Sequence, residues 1–286
     1  MNEKITLLEA FIHKYPDTAD NICRLFEKAT GKKAEFENLT KPNLSRFVDY
    51  LFDEKSPGTC KTYCANLKAV MNVYSGDFDF QKGWEKIISI KDDESQHTYL
   101  TEIEIQRIID YLPDTMNEAT VQQQFILGCL TGARHSDYSL FTERNITPQG
   151  TLVYVSRKTH IRAELPLSKI ARKILFAKGT QYAGAYLRKV SDPTFNDTIR
   201  TICKLCDIDY EIQLYRHGDF WTGPKYEAIS SHTSRRSFCT NLYLRCRDLF
   251  LVSKLAGHSS TTMTERYICC GLESLTDVAM QYFEQF

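Results

Sequence analysis

Residues 151–166 read TLVYVSRKTHIRAELP. The run TLVYV alternates as a strand does, Ser156 to Ile161 turns, and Arg162 to Leu165 returns. This predicts a hairpin with Lys158 at its bend. Nothing else in the chain reads as a strand, so this stretch separates a mainly α fold with one small β-hairpin from an all-helical one.

Outward from the hairpin the period changes to that of helices. Helices are expected near 102–112, 119–130, 168–178, 194–206, 233–246, 249–256 and 272–285. Thr101-Glu102-Ile103-Glu104 forms a capping box that opens this region. Before it lies KDDESQH, residues 91–97, polar and without periodicity. Residues 1–90 read as helices alone. Leu7, Leu8, Phe11 and Ile12 have helical spacing, and Ile22, Leu25, Phe26 and Ala29 repeat it. Thr40-Lys41-Pro42 and Ser56-Pro57 open two more helices. The expected organisation is a helical bundle at 1–90, a linker at 91–98, and a mostly helical domain with the hairpin at 99–286.

At 286 residues two domains are the natural prior. Apolar residues are 42% and charged residues 25%, which excludes wholesale disorder and fibrous repeats. No signal peptide or membrane span is legible, so a soluble intracellular protein is expected. The ten cysteines are scattered, several within apolar helical patterns, and read as reduced core thiols. Cys203-x-x-Cys206 is the one metal-like pair and lacks a second pair at zinc spacing.

Lys plus Arg and Asp plus Glu are both 36, which argues against a polybasic coat protein but not against a local basic surface. Residues 92–143 carry ten acids against Arg107 and Arg134, whereas residues 151–189 carry nine Lys or Arg against Glu164.

Four stretches concentrate unusual residues: TGARHSD at 131–137, RKT at 157–159, HTSRR at 232–236 and LAGH at 255–258, with Tyr267 nine residues after His258. Singly each has a bland reading. Arg134 could be a helix-end partner, Lys158 a solvated turn residue and His258 a cap neighbour. His232 and Arg235 share a helix face by their spacing. Together they supply what phosphodiester cleavage by a protein hydroxyl needs. The transition state gathers charge on the non-bridging oxygens, and arginine presents a permanent fork of donors to them. A phenol of pKa near 10 attacks only with cationic help or a base, and the leaving alkoxide needs a proton.

These stretches resemble the tyrosine recombinase (phage integrase) family. TGARHSD resembles its first arginine box, SRKTHIRAELPLS its lysine hairpin, HTSRRSFCTNL its H-x-x-R box, and LAGHSS with TTMTERY its histidine-to-nucleophile run. The likeness covers about Tyr99 to the C-terminus. Departures are Arg236, where many relatives have histidine, and Ser234 and Ala256, where larger apolar residues are common.

The resemblance implies catalytic residues Arg134, Lys158, His232, Arg235, His258 and Tyr267. Tyr267 attacks the DNA phosphate to form a 3′-phosphotyrosyl bond, and the two arginines clamp the oxygens. Lys158 protonates the leaving 5′-oxygen, His232 accepts the phenol proton and His258 bonds the phosphate. Asp137 supports Arg134 or His232 without reacting. Neither metal nor ATP nor another cofactor is implied. The fold implied is a SAM-like core-binding bundle plus the recombinase catalytic fold, gripping two faces of a duplex, with no additional arm-type domain. A C-terminal docking helix accompanies a homo-tetramer on two DNA sites, monomeric in solution. The setting is cytoplasmic, at the nucleoid, and integration, excision, transposition, inversion and dimer resolution all stay open. Rival readings are a type IB topoisomerase-like relaxing enzyme, a catalytically silent DNA-binding regulator, and a metal-dependent nuclease. The last would need clustered carboxylates, which these boxes lack.

Overall fold

The computed structural model describes residues 5–90, 95–139, 141–216 and 218–269. The chain divides into two compact units, Met1–Ser95 with Arg216–Asp219, and Gln96–Tyr215 with Phe220–Phe286. Among the described residues no helix is long and apolar enough to cross a membrane.

The first unit is built from α1 (Leu7–Lys14), α2 (Pro16–Thr30), α3 (Lys41–Glu54) and α4 (Pro57–Val73). Their starts follow local chemistry. Thr6 and Glu9 cap α1 reciprocally, proline occupies the first turn of each of the other three, and Ser56 accepts from the Thr59 N–H. Thr40 precedes α3 as expected, although its side chain makes no capping bond. Phe11, Ile22, Phe26, Leu44, Phe47, Leu51, Leu67, Val70 and Met71 fill the core. Leu8 and Ile12 share the helical spacing of α1 but face outward, because the short helix buries only the stripe through Leu7 and Phe11.

The second unit opens at the Thr101–Glu104 capping box with α5 (Glu102–Asp110). The next helix, α6 (Met116–Thr131), is its centre and is buried on nearly every side. It starts earlier than its apolar pattern suggests, because Thr115 caps it through the Glu118 N–H. A short α7 (His135–Tyr138) precedes the expected hairpin, β1 (Thr151–Val155) and β2 (Arg162–Pro166), which pair antiparallel with Leu152 opposite Leu165. Then come α8 (Lys169–Phe176) and α9 (Asp192–Leu205).

A second two-stranded sheet follows, β3 (Glu211–Arg216) and β4 (Asp219–Pro224), and this corrects the expectation of a single β interruption. The unit ends with α10 (Ser231–Cys246), α11 (Leu249–Ala256) and α12 (Thr261–Glu265). The helix expected at 272–285 lies outside the described residues. The fold is mainly α with two small antiparallel sheets.

Candidate active site

The geometry begins where α6 crosses α10. Gly128 makes the close approach possible, since a Cβ there would lie 2.7 Å from the Ser234 Cβ. Ser234 is fully buried and donates to the Ser231 carbonyl at 2.7 Å. A larger residue at 234 would not fit against α6, which accounts for one departure from the family pattern. Gly132, at φ +67°, ends α6 in the left-handed region and swings the chain so that Arg134 precedes α7. Arg235 reaches the same turn from α10 and donates Nη1 to the Gly132 carbonyl. One helix crossing thus sets both arginines.

Arg134 donates from Nη1 to Ser156 Oγ at 3.0 Å. Ser156 donates to Asp137 Oδ2 at 3.1 Å, and Asp137 Oδ1 accepts the Arg157 N–H at 3.0 Å. The buried carboxylate therefore ties the base of the β1–β2 hairpin to α7 and supports Arg134 through Ser156. Lys158 stands exposed at the hairpin bend.

Arg235 is 1% exposed. Its Nε and Nη2 are buried and have no hydrogen-bond partner among the described residues. A buried charge is costly unless something offsets it, and native structures rarely leave such donors unmet. His258 repeats the pattern. Gly257, at φ +64°, closes α11 with its Cα against Ala163 of β2, where a Cβ would sit 3.1 Å from the Ala163 Cβ. His258 Nδ1 is hydrogen-bonded to Thr264 Oγ1 at 2.9 Å, while Nε2 is buried and has no partner among the described residues. Burial first, then Arg235 and Arg134, push its pKa down to about 3, so the ring is neutral.

The Tyr267 ring stacks on His258 at 4.8 Å between centroids. The guanidinium carbons of Arg235 and Arg236 lie 5.1 and 5.3 Å from its centre. Nearby Tyr154 is a second phenol, but burial pushes its pKa up to about 12 against the pull of Arg235, which makes it a poor nucleophile.

A cavity of about 550 Å³ opens at Arg134, with Arg157, Lys158, Arg188, Lys189 and His232 also in its lining. The lining holds one carboxylate, Asp192, which pairs with His135 Nδ1 at 2.9 Å. Burial, then the charges of Arg236, Lys158, Arg134 and Arg235, hold the His232 imidazole below its ordinary range. Arg188 is presented by a fixed backbone, because fully buried Gln124 donates to the Tyr186 and Arg188 carbonyls, both at 2.7 Å. Arg134, Lys158 and His232 thus line one cavity, while Arg235, His258 and Tyr267 pack together. The two groups meet electrostatically, since Arg134 and Arg235 act on both histidines. Ser156 and Thr264 support the site and carry no signal in the motifs beyond their neighbourhood, whereas Arg236, which faces the Tyr267 ring, stands in the sequence as a departure from the family pattern.

Among the described residues no three His, Cys, Asp or Glu side chains are grouped to hold a metal ion. Cys203 is buried in the core, and the Cys206 thiol donates to the Arg107 carbonyl at 3.7 Å.

The model for the phage integrase family matches residues 98–270, which include all six of these side chains. The chain belongs to the phage integrase family. Comparison with curated proteins found no match. Among solved structures, the Tn1549 transposon integrase in complex with a circular intermediate DNA is similar at 13% identity and a TM-score of 0.68, over 99% of this chain and 100% of that one. The XerH site-specific recombinase bound to palindromic difH substrate, a post-cleavage complex, is similar at 17% identity and a TM-score of 0.62, over 94% and 78%. A lambda integrase tetramer bound to a Holliday junction is similar at 16% identity and a TM-score of 0.62, over 93% and 78%. At these identities the likeness is one of fold, and this member of the phage integrase family shares that fold along nearly its whole length.

Proposed function

We propose that the protein is a site-specific DNA recombinase that breaks and rejoins DNA through a covalent 3′-phosphotyrosyl bond. The observation that carries this reading is the packing of buried Arg235 and His258 against half-buried Tyr267. A guanidinium with two unmet nitrogens and an imidazole with one are packed against a phenol ring. Unmet buried donors beside a cation suit an oxyanion, and a phosphodiester passing through its transition state is the oxyanion a neighbouring phenol would attack.

In this mechanism the Tyr267 hydroxyl oxygen bonds to phosphorus and the bond to the 5′-oxygen breaks. Neutral His232 accepts the phenol proton and Lys158 gives a proton to the departing 5′-oxygen. Arg134 and Arg235 offset the added charge, and neutral His258, with its proton on Nε2 and Nδ1 accepting from the Thr264 hydroxyl, donates to the phosphate. A 5′-hydroxyl of another strand then attacks the phosphotyrosyl bond and releases Tyr267. The energy of one P–O bond is kept in the other, so no nucleotide hydrolysis is needed.

Duplex DNA is the proposed partner. Residues 1–90 are assigned as a helical core-type DNA-binding domain, 91–98 as the linker and 99–286 as the catalytic domain. Assembly as a homo-tetramer on two sites is proposed by analogy with the lambda integrase tetramer. A mobile element, acting in the cytoplasm at the nucleoid, is the setting suggested by the transposon integrase.

The test is a suicide duplex from which the cleaved strand escapes. The wild type is expected to leave a detergent-stable protein–DNA adduct. Tyr267→Phe should form none and still bind DNA. An adduct persisting in that variant would falsify the nucleophile assignment.

A further inference from the structure

Tyr267 sits on the stretch that follows α12, and three hydrogen bonds tie this stretch to α10. Arg236 Nη1 donates to the Arg266 carbonyl at 2.8 Å, Thr240 Oγ1 donates to the Tyr267 carbonyl at 3.3 Å, and the Cys269 N–H donates to Thr240 Oγ1 at 3.0 Å. Arg236 and Thr240 are four residues apart and so stand on one face of α10. The Arg236 guanidinium also faces the Tyr267 ring at 5.3 Å, within reach of a cation–π attraction. One side chain therefore holds both the backbone just before Tyr267 and the ring itself. Arg235 also faces the ring, at 5.1 Å, but does not hold the backbone beside Tyr267, because its Nη1 is committed to Gly132 and its other two nitrogens have no partner among the described residues.

We propose that Arg236 is a positioning residue for the nucleophile, fixing Tyr267 of its own chain against the Arg235–His258 site and acting a second time through its charge on His232, which stands four residues before it on the same face of α10. This rests on the recombinase reading above. The two actions are separable. A misplaced nucleophile slows attack whatever the pH. The charge also bears on His232, and the groups acting on that ring are Arg236 and Arg235 of α10, Lys158 of the hairpin and Arg134 ahead of α7, all cationic. After burial, Arg236 contributes most to holding the ring below its ordinary pKa. Because the neutral imidazole accepts the phenol proton, adduct formation declines as pH falls through that pKa. Removing the Arg236 charge raises the pKa, so the acid limb moves to higher pH.

The experiment measures the rate of adduct formation on the suicide duplex against pH for wild type, Arg236→Gln and Arg236→Lys. Far-UV circular dichroism and DNA affinity are measured on each. Arg236→Gln is expected to react roughly 10- to 100-fold more slowly, with its acid limb moved up. Arg236→Lys, which keeps the charge but not the planar fork, should also be slow, with its limb on that of the wild type. A wild-type rate in either folded variant, or a slow Arg236→Gln with an unmoved limb, overturns the proposal. Should Arg236→Gln not fold, the rate of Arg236→Lys decides alone. No adduct from the wild type, or an adduct from Tyr267→Phe, is instead a failure of the recombinase reading.

Discussion

His258 has one ring nitrogen committed to Thr264 and the other buried with no partner among the described residues, and this makes it a sensor of acid in the folded state. In the unfolded chain a histidine binds its proton near pH 6.5. Folded, burial and the two arginines delay this until about 3. Between those values the unfolded state holds up to one more proton, so stability falls as pH drops through the window, by at most about 1.4 kcal/mol per pH unit. Above 6.5 both states are neutral and the contribution vanishes. His232 is shifted in the same direction and adds to the slope. His258→Gln is therefore expected to flatten the dependence of Tm on pH between about 4 and 6.5, and a slope equal to that of the wild type would place the proton uptake elsewhere. His258 itself was legible in the sequence because it ends LAGH and stands nine residues before Tyr267. Ser156 and Thr264 were not. A serine at a strand end and a threonine in a helix look like ordinary polar residues until the fold sets them against Arg134 and His258.

The β1–β2 hairpin is the element that carries Lys158 to the cavity. Its base is held rigidly by Asp137 through Ser156 and the Arg157 N–H, while its bend is exposed. Such an element delivers a proton donor without burying a lysine. Lys158→Ala should slow cleavage by roughly 100- to 10,000-fold, the range for loss of a general acid. A duplex with sulfur in place of the bridging 5′-oxygen, whose leaving group needs no proton, should restore most of the rate. Lack of rescue would move the proton donor to another side chain. This hairpin could be read from sequence because Leu152, Tyr154, Ala163 and Leu165 all turn toward the core and leave an alternating pattern. The β3–β4 hairpin could not, since Leu214 is the one buried residue among those described in it and no inward-facing stripe marks its strands. The capping box at Thr101–Glu104 is a local device in the sequence and also a tertiary one in the fold. Glu104 is buried and accepts from Lys225 Nζ at 2.7 Å and from the Tyr210 hydroxyl at 3.0 Å, a partnership that no local pattern announces.

Across the whole molecule, a formal charge of zero conceals segregation, but the segment 151–189 overstates how much of it faces a ligand. Several of its cations are used structurally or paired. Arg172 donates to the Gly150 carbonyl at 2.8 Å, Arg162 pairs with Glu164 at 2.9 Å, and Lys178 lies 3.7 Å from Glu143. Arg157, Lys158, Arg188 and Lys189 are the members that line the cavity, where Asp192 is already paired with His135. The part of the charge that matters for a polyanion is thus set by the fold rather than by the count. If Arg188 and Lys189 meet two backbone phosphates, each releases condensed counterions on binding, and the plot of log K against log salt steepens by about 0.9 for each phosphate. The double variant Arg188→Gln, Lys189→Gln should then weaken binding most at low salt and make the slope shallower by about 1.8. Titrations of a labelled duplex at several salt concentrations measure this directly. An unchanged slope would mean that these two side chains meet no phosphate, and that the strand runs past the cavity on the Arg157–Lys158 side alone.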